Sequence, residues 1–168
     1  MEGKIPHKYQ EKLEVTYEQY LRDSYAVAVD LAREFEKVLG SKETLEIIRK
    51  ANENRAVQQA EKQATANPIR NLEDFKAFMR QARTAPFLSR AQTSTIKEEK
   101  PRQFTVQVTE CLWAKTLREL GSADLGYAMI CHSDFATAQA FNPKIKLRRT
   151  GTLMQGANCC DNTYYWEE

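Results

Sequence analysis

Apolar residues recur at three- and four-residue steps along residues 17–39, at Tyr17, Leu21, Ala28, Leu31, Ala32, Phe35, Val38 and Leu39. That spacing predicts an amphipathic helix, because residues three and four apart share one helical face. Gly40 supplies a C-terminal stop, and Ser41 is the expected N-cap of a second helix. Leu45, Ile48, Ala51 and Ala56 mark the apolar side of that helix, which thins to Ala60 and Ala64 in a Gln-rich context before Pro68. Its far end should be either exposed or packed closely through the alanines. Asn71 begins a third, short helix with Leu72, Phe75, Phe78 and Met79 on one face.

The period changes after Pro86. Residues 93–99 and 102–110 flank Lys100-Pro101 and read as a β-hairpin. In the second strand Phe104, Val106 and Val108 share one face, and strict alternation carries Glu110 to the same inward side. A helix is expected from near Cys111 through Trp113 and Leu117 to Leu120, ending at Gly121. Ser122 caps another that runs to about Phe141. Residues 144–151 and 160–166 read as closing strands. The expectation is one α+β domain over residues 1–168, mainly helical over 1–85, with the sheet and two helices over 92–168. The sheet should be antiparallel, with four to five strands and helices on one face. The chain contains no internal repeat, GxGxxG motif or phosphate loop.

Composition narrows the class without choosing a function. The 168 residues are 42% hydrophobic and 29% charged, the balance of an ordinary globular chain. Residues 121–135, the most apolar run of the second half, include Ser, Asp and His and are unsuited to a bilayer. Residues 1–10 are polar, with Lys4, His7 and Lys8, and lack the apolar core of a secretory signal. A cytoplasmic location without membrane partners is therefore expected. A net charge of +2 gives no argument for nucleic acid binding.

The cysteines are Cys111, Cys131, Cys159 and Cys160, and in a reducing compartment they should be free thiols. None forms a CxxC pair, which disfavours thioredoxin-like chemistry and a zinc ribbon. With only His7 and His132, a multi-histidine metal site within one subunit is excluded.

Candidate chemistry gathers in the last sixty residues. Cys111 lies where a strand hands over to a helix, a position at which free N–H groups and the helix dipole favour thiolate. Cys131 and Asp134, three apart, should project from one helical face, with Tyr127 a turn earlier and Ala138 a turn later. Cys160 opens the last strand after the turn containing Gly156. Each cysteine alone fits a small buried hydrophobe equally well. Asp134, on a mostly apolar helix, needs a partner. In the strand that follows it, Lys144, Lys146 and Arg148 alternate with Ile145, Leu147 and Arg149, so Arg149 falls on the apolar face. An inward arginine calls for a carboxylate. Glu110 is the structural candidate for that partner, and a substrate carboxylate is the functional one.

These residues carry a resemblance. Thr109-Glu110-Cys111-Leu112-Trp113-Ala114, Cys131-His132-Ser133-Asp134, Arg149-Thr150-Gly151-Thr152-Leu153 and Gly156-Ala157-Asn158-Cys159-Cys160-Asp161 together resemble the L-2-amino-thiazoline-4-carboxylic acid hydrolase family. The match spans roughly Phe104 to Trp166, with the helical half a looser likeness. Cys159 is extra, and Ala157 stands where an acidic residue is expected. The resemblance implies hydrolytic opening of a cyclic amidine-type ring to an N-carbamoyl amino acid, on a small substrate bearing a carboxylate.

Two mechanisms suit the residues. In one, Cys111 attacks the ring carbon and Asp134 handles protons, with Cys131 and Cys160 in the same site. In the other, Cys111, Cys131, Asp134 and Cys160 hold a zinc ion that activates water. No other cofactor is expected. Arg149 would bind the substrate carboxylate in either scheme, with Glu110, Tyr127 and Asn158 also assigned to substrate binding. The strand–Cys–helix and late Gly–Cys pattern is also similar to vinyl-reductase-like sensor domains, which would make the chain a non-catalytic small-molecule binder. A blander alternative is assembly as a homo-oligomer through the N-terminal helices.

Overall fold

The computed structural model describes residues 14–100 and 102–168, so the readings made on residues 1–10 and on Pro101 lie outside the described residues. Helix α1 (Tyr17–Leu39) starts at Thr16, whose Oγ1 accepts the Gln19 N–H at 3.0 Å. It ends at Gly40, where φ is +82°, a backbone that a side chain would strain. The same glycine immediately precedes α2 (Ser41–Ala66). Ser41 lies inside α2 and does not cap it; its hydroxyl donates to Glu36 at 3.0 Å.

Only part of the α1 stripe turns inward. Leu21, Val29 and Ala32 are buried where α1 packs on α2 and on α5 (Leu112–Glu119), while Leu31, Phe35 and Val38 are exposed. Farther along, α2 narrows to Ala60, which is 2% exposed and lets α2 lie close against α7 (Asp134–Phe141). Small alanines permit that approach, so the far end of α2 is packed, one of the two options its sequence allowed.

Helix α3 (Leu72–Arg83) is capped by Asn71, whose Oδ1 accepts the Asp74 N–H at 2.8 Å. It delivers Phe75 into an aromatic cluster with Phe104, Phe141 and Tyr164, ring centroids 5.2–6.0 Å apart. A short α4 (Leu88–Ala91) leads into the sheet. Strands β1 (Gln92–Lys100), β2 (Gln103–Cys111), β3 (Ile145–Arg148) and β4 (Cys160–Trp166) form one antiparallel sheet in the order β1-β2-β4-β3. One face carries Phe104, Val106, Val108, Ile145, Leu147 and Tyr164 into a core shared with α2, α3 and α7. The other face is polar, as in the 2.9 Å contact between the Thr105 and Thr163 hydroxyls. This is the α+β architecture expected, with helices leading and four antiparallel strands.

The β1–β2 register breaks near the end of β2. Thr93 pairs with Glu110 but Ser94 pairs with Val108, so Thr109 is an extra, bulged residue. Beyond the bulge the alternation is reset: Thr109 and Glu110 are both exposed, and it is Cys111 that packs inward. The inward Glu110 that strict alternation required is therefore corrected.

The helix expected over 122–141 is divided. Helix α6 (Ala123–Gly126) runs into a π turn (Tyr127–Cys131), closed by the five-residue bond from His132 N–H to Tyr127 O at 2.9 Å; α7 begins after Ser133. Gly126 is required by close packing, because a Cβ there would meet Met154 Sδ at 2.5 Å. Met154 belongs to a short 3₁₀ turn (Leu153–Gln155) and joins Val29, Ala32, Ala114, Leu117 and Leu125 in a second core. Among the described residues no helix is long and apolar enough to cross a membrane.

Candidate functional site

The Arg149-Thr150-Gly151 segment leaves β3 toward the sheet's inner face and is pinned by Asp161 at the start of β4. Its carboxylate accepts the Thr150 N–H at 2.9 Å, the Thr150 hydroxyl at 2.6 Å and the Gly151 N–H at 3.0 Å. Burial works against that charge, but these bonds outweigh it and hold Asp161 below the usual carboxylate range. Gly151 admits the opposing turn, since a Cβ there would come within 2.8 Å of Ala157 Cβ.

So anchored, Arg149 enters the core as alternation with Ile145 and Leu147 predicts. Its guanidinium meets Asp134 Oδ2 at 2.7 Å and donates to the Cys131 carbonyl at the end of the π turn. Asn162 Oδ1 and the Tyr127 hydroxyl lie at 3.5 Å. The rings of Phe135 and Tyr127 flank it at 4.8 and 5.5 Å from their centroids. The partner of Arg149 is thus Asp134, and the Glu110–Arg149 pair does not form. Glu110 instead accepts the Thr93 hydroxyl on the outer side of the sheet end.

The Arg149 side chain is 4% exposed, whereas 41% of the Asp134 side chain remains accessible. Asp134 is nevertheless deep enough for burial to raise its carboxyl above the ordinary range against the pull of Arg149. Burial also opposes the charge on Arg149, but Asp134 and Tyr127 outweigh it and strengthen the guanidinium's hold on its proton.

Cys131 and Cys160 lie beside this pair, and Cys111 lies close to both of those thiols. Burial, then the charge of Asp134, pushes the Cys131 thiol up to about 12, and the thiols of Cys111 and Cys160 act on it in the same direction. Burial likewise raises Cys160, against the Leu153 N–H that its sulfur accepts at 3.3 Å. Cys131 and Cys160 are therefore neutral thiols at physiological pH. Cys159 points elsewhere, its sulfur 3.3 Å from Gln107 Nε2. All four are free.

Cys111 differs in setting. It is the residue before α5, with extended backbone, and Gln92 Nε2 lies 3.8 Å from its sulfur. It touches both cores and at the same time lines an open cleft of about 580 Å³. That size is within the range of small-molecule sites. The cleft is walled by α4 and the start of β1 on one side and by α5 on the other, and Glu110, Arg90, Arg118 and Leu153 also face it. Of the remaining sequence candidates, Tyr127 sits at the guanidinium and Asn158 is exposed on the turn before β4.

Among the described residues no group of three or more His, Cys, Asp or Glu side chains is placed to share a metal ion. The set Cys111, Cys131, Asp134 and Cys160 does not fit zinc in this arrangement, and the Asp134 carboxylate is engaged by Arg149.

Sequence reasoning did not single out Asn162, Gln92, Arg90 or Arg118. A signal existed for Arg118, seven residues after Cys111 and on the same side of α5 as Lys115. Arg90 and Gln92 reach the cleft only through pairing of β1 with β2. Comparison with curated proteins gave no match. The model of the L-2-amino-thiazoline-4-carboxylic acid hydrolase family matches residues 19–164, nearly the whole chain, and the protein belongs to that family.

Proposed function

We propose that this protein hydrolyses a cyclic amidine of the 2-amino-thiazoline-4-carboxylate type to an N-carbamoyl amino acid, with Cys111 as nucleophile. One observation carries the assignment of the nucleophile: Cys111 lines the open cleft, while Cys131 and Cys160 are held behind it as thiols. Family membership supplies the reaction class.

The Cys111 thiolate adds to the ring carbon that lies between the sulfur and two nitrogens. The bond from that carbon to the ring sulfur then breaks, leaving the opened substrate as an S-linked isothiourea on Cys111. Water adds to the same carbon and the bond to Cys111 breaks. The water oxygen becomes the urea carbonyl, and its two hydrogens end on a nitrogen and on the freed ring sulfur. Asp134 serves as the proton carrier in this reading, a role suited to a carboxyl raised by burial yet open on one side. Arg149, gripped by Asp134 and two rings, fixes that carboxylate and does not reach for substrate.

The test is a ring-opening assay on wild type and Cys111→Ser, with metal content measured on the same preparation. Turnover lost in Cys111→Ser and unaffected by chelator supports the reading. Full activity in the variant removes Cys111 as nucleophile, and activity abolished by chelator replaces it with metal-activated water. A wild-type protein that binds the ring without opening it is a small-molecule-binding domain.

A further inference from the structure

Charges in the cleft are unevenly satisfied. Lys115 is taken by Glu18 at 2.6 Å and Glu119 at 2.8 Å, and Glu119 also meets Arg22. Arg90 and Arg118 have no carboxylate partner among the described residues. Arg118 is steadied by the Leu153 carbonyl and Arg90 by the Pro86 carbonyl, both at 3.0 Å, and the Arg90 guanidinium also lies over the Tyr17 ring, 5.9 Å from its centroid. The remaining N–H groups of two positioned guanidinium forks are left for an anion. Glu110 lines the same cleft beside Cys111, held by the Thr93 hydroxyl and, among the described residues, without a cationic partner.

The arrangement has polarity. Glu110 and Cys111 mark one end, and Arg118 comes from seven residues farther on, about 10 Å at 1.5 Å per helical residue before the side chain folds back. A planar amidinium presents two N–H groups along one edge, which a carboxylate accepts in parallel. That pairing would also keep positive charge on the carbon facing Cys111 and so favour attack by a thiolate. Arg149 can serve neither end, since its side chain is 4% exposed and already ion-paired.

We infer that the cleft selects a small zwitterion, with its carboxylate on Arg118 and Arg90 and its amidinium on Glu110. This assigns substrate carboxylate recognition to two arginines on α5 and α4 in place of Arg149, and it rests on Cys111 as the reacting group. A neutral ring, or one lacking the acid, should fit poorly.

The experiment compares 2-amino-thiazoline-4-carboxylate with 2-amino-thiazoline, which lacks the carboxylate. Wild type, Arg118→Gln, Arg90→Gln and Glu110→Gln are each checked for folding by circular dichroism. Binding is measured by calorimetry on the Cys111→Ser background and turnover on the native one. The arginine variants should weaken the acid about 10- to 100-fold, as loss of a charge-assisted contact does, and leave the decarboxylated ring unchanged. Glu110→Gln should weaken both compounds. Equal affinity of wild type for the two rings, or arginine variants that keep the preference, overturns the inference. If the acid is not turned over, the hydrolase reading fails, and the binding data still decide the zwitterion site by the same criterion.

Discussion

The Arg149 guanidinium and the Asp134 carboxylate lie 2.7 Å apart, and they join the residue that leaves β3 to the one that opens α7. The contact resolves two costs at once. An inward arginine and an aspartate on an apolar helix each need a counter-charge, and here each is the other's. The π turn adds a third requirement, a carbonyl at Cys131, which the same guanidinium satisfies. Arg149 is thereby a structural clamp on the helix break that carries Cys131 and Asp134.

Arg149→Ala should therefore destabilise the fold by about 3 kcal/mol, the low end for a broken buried pair, because Asp134 retains solvent on one side. Urea unfolding checks this. Arg149→Lys should recover only part of the loss, since an ammonium cannot bridge Asp134 and the Cys131 carbonyl with a planar fork. A full rescue by lysine would show that charge alone matters.

Thiol reactivity should rank the cysteines. At pH 8 limited iodoacetamide should label Cys111 well before Cys131 or Cys160, read by peptide mass spectrometry. Cys131, pushed up to about 12, should resist until strongly alkaline pH. Equal labelling of all three would remove the distinction on which the nucleophile assignment stands.

The same shift has a sign in stability. Cys131 ionises near its ordinary 9.0 in the unfolded chain and near about 12 when folded, so the unfolded state releases its proton first. Stability from this group is fully present below pH 9 and should decline as pH rises from 9 toward 12. Cys131→Ala should flatten that alkaline slope in denaturant titrations run from pH 8 to 11. A wild-type slope unaltered by the substitution would contradict burial of this thiol.

Gly126→Ala should lower stability by about 2 kcal/mol through overpacking, since the new methyl would lie 2.5 Å from Met154 Sδ and 3.0 Å from Leu117 Cβ. Thermal melts of this variant and of Gly126→Ala/Met154→Ala check it. In the double variant, the alanine at 126 should cost less than it does with Met154 in place.

Much of the fold was determined by local sequence. Asn71 at the start of α3, the alternation of Phe104, Val106 and Val108, and the inward turn of Arg149 each follow from periodicity or capping, which act over a few residues. The motif segments also held Arg149, Asp134 and Cys131, which the fold brings into contact. Tertiary structure decided the rest. One bulged residue, Thr109, reset the parity of β2, placing Cys111 inside and Glu110 out, and a bulge is set by the partner strand's register. Pairing of Arg149 with Asp134 over Glu110 depended on the π turn and on how α7 lies across the sheet. The β1–β2 hairpin was legible locally, but the bulged register that sets Gln92 opposite Cys111, and the packing of α5 across from α4 that walls the cleft, were decided by tertiary structure.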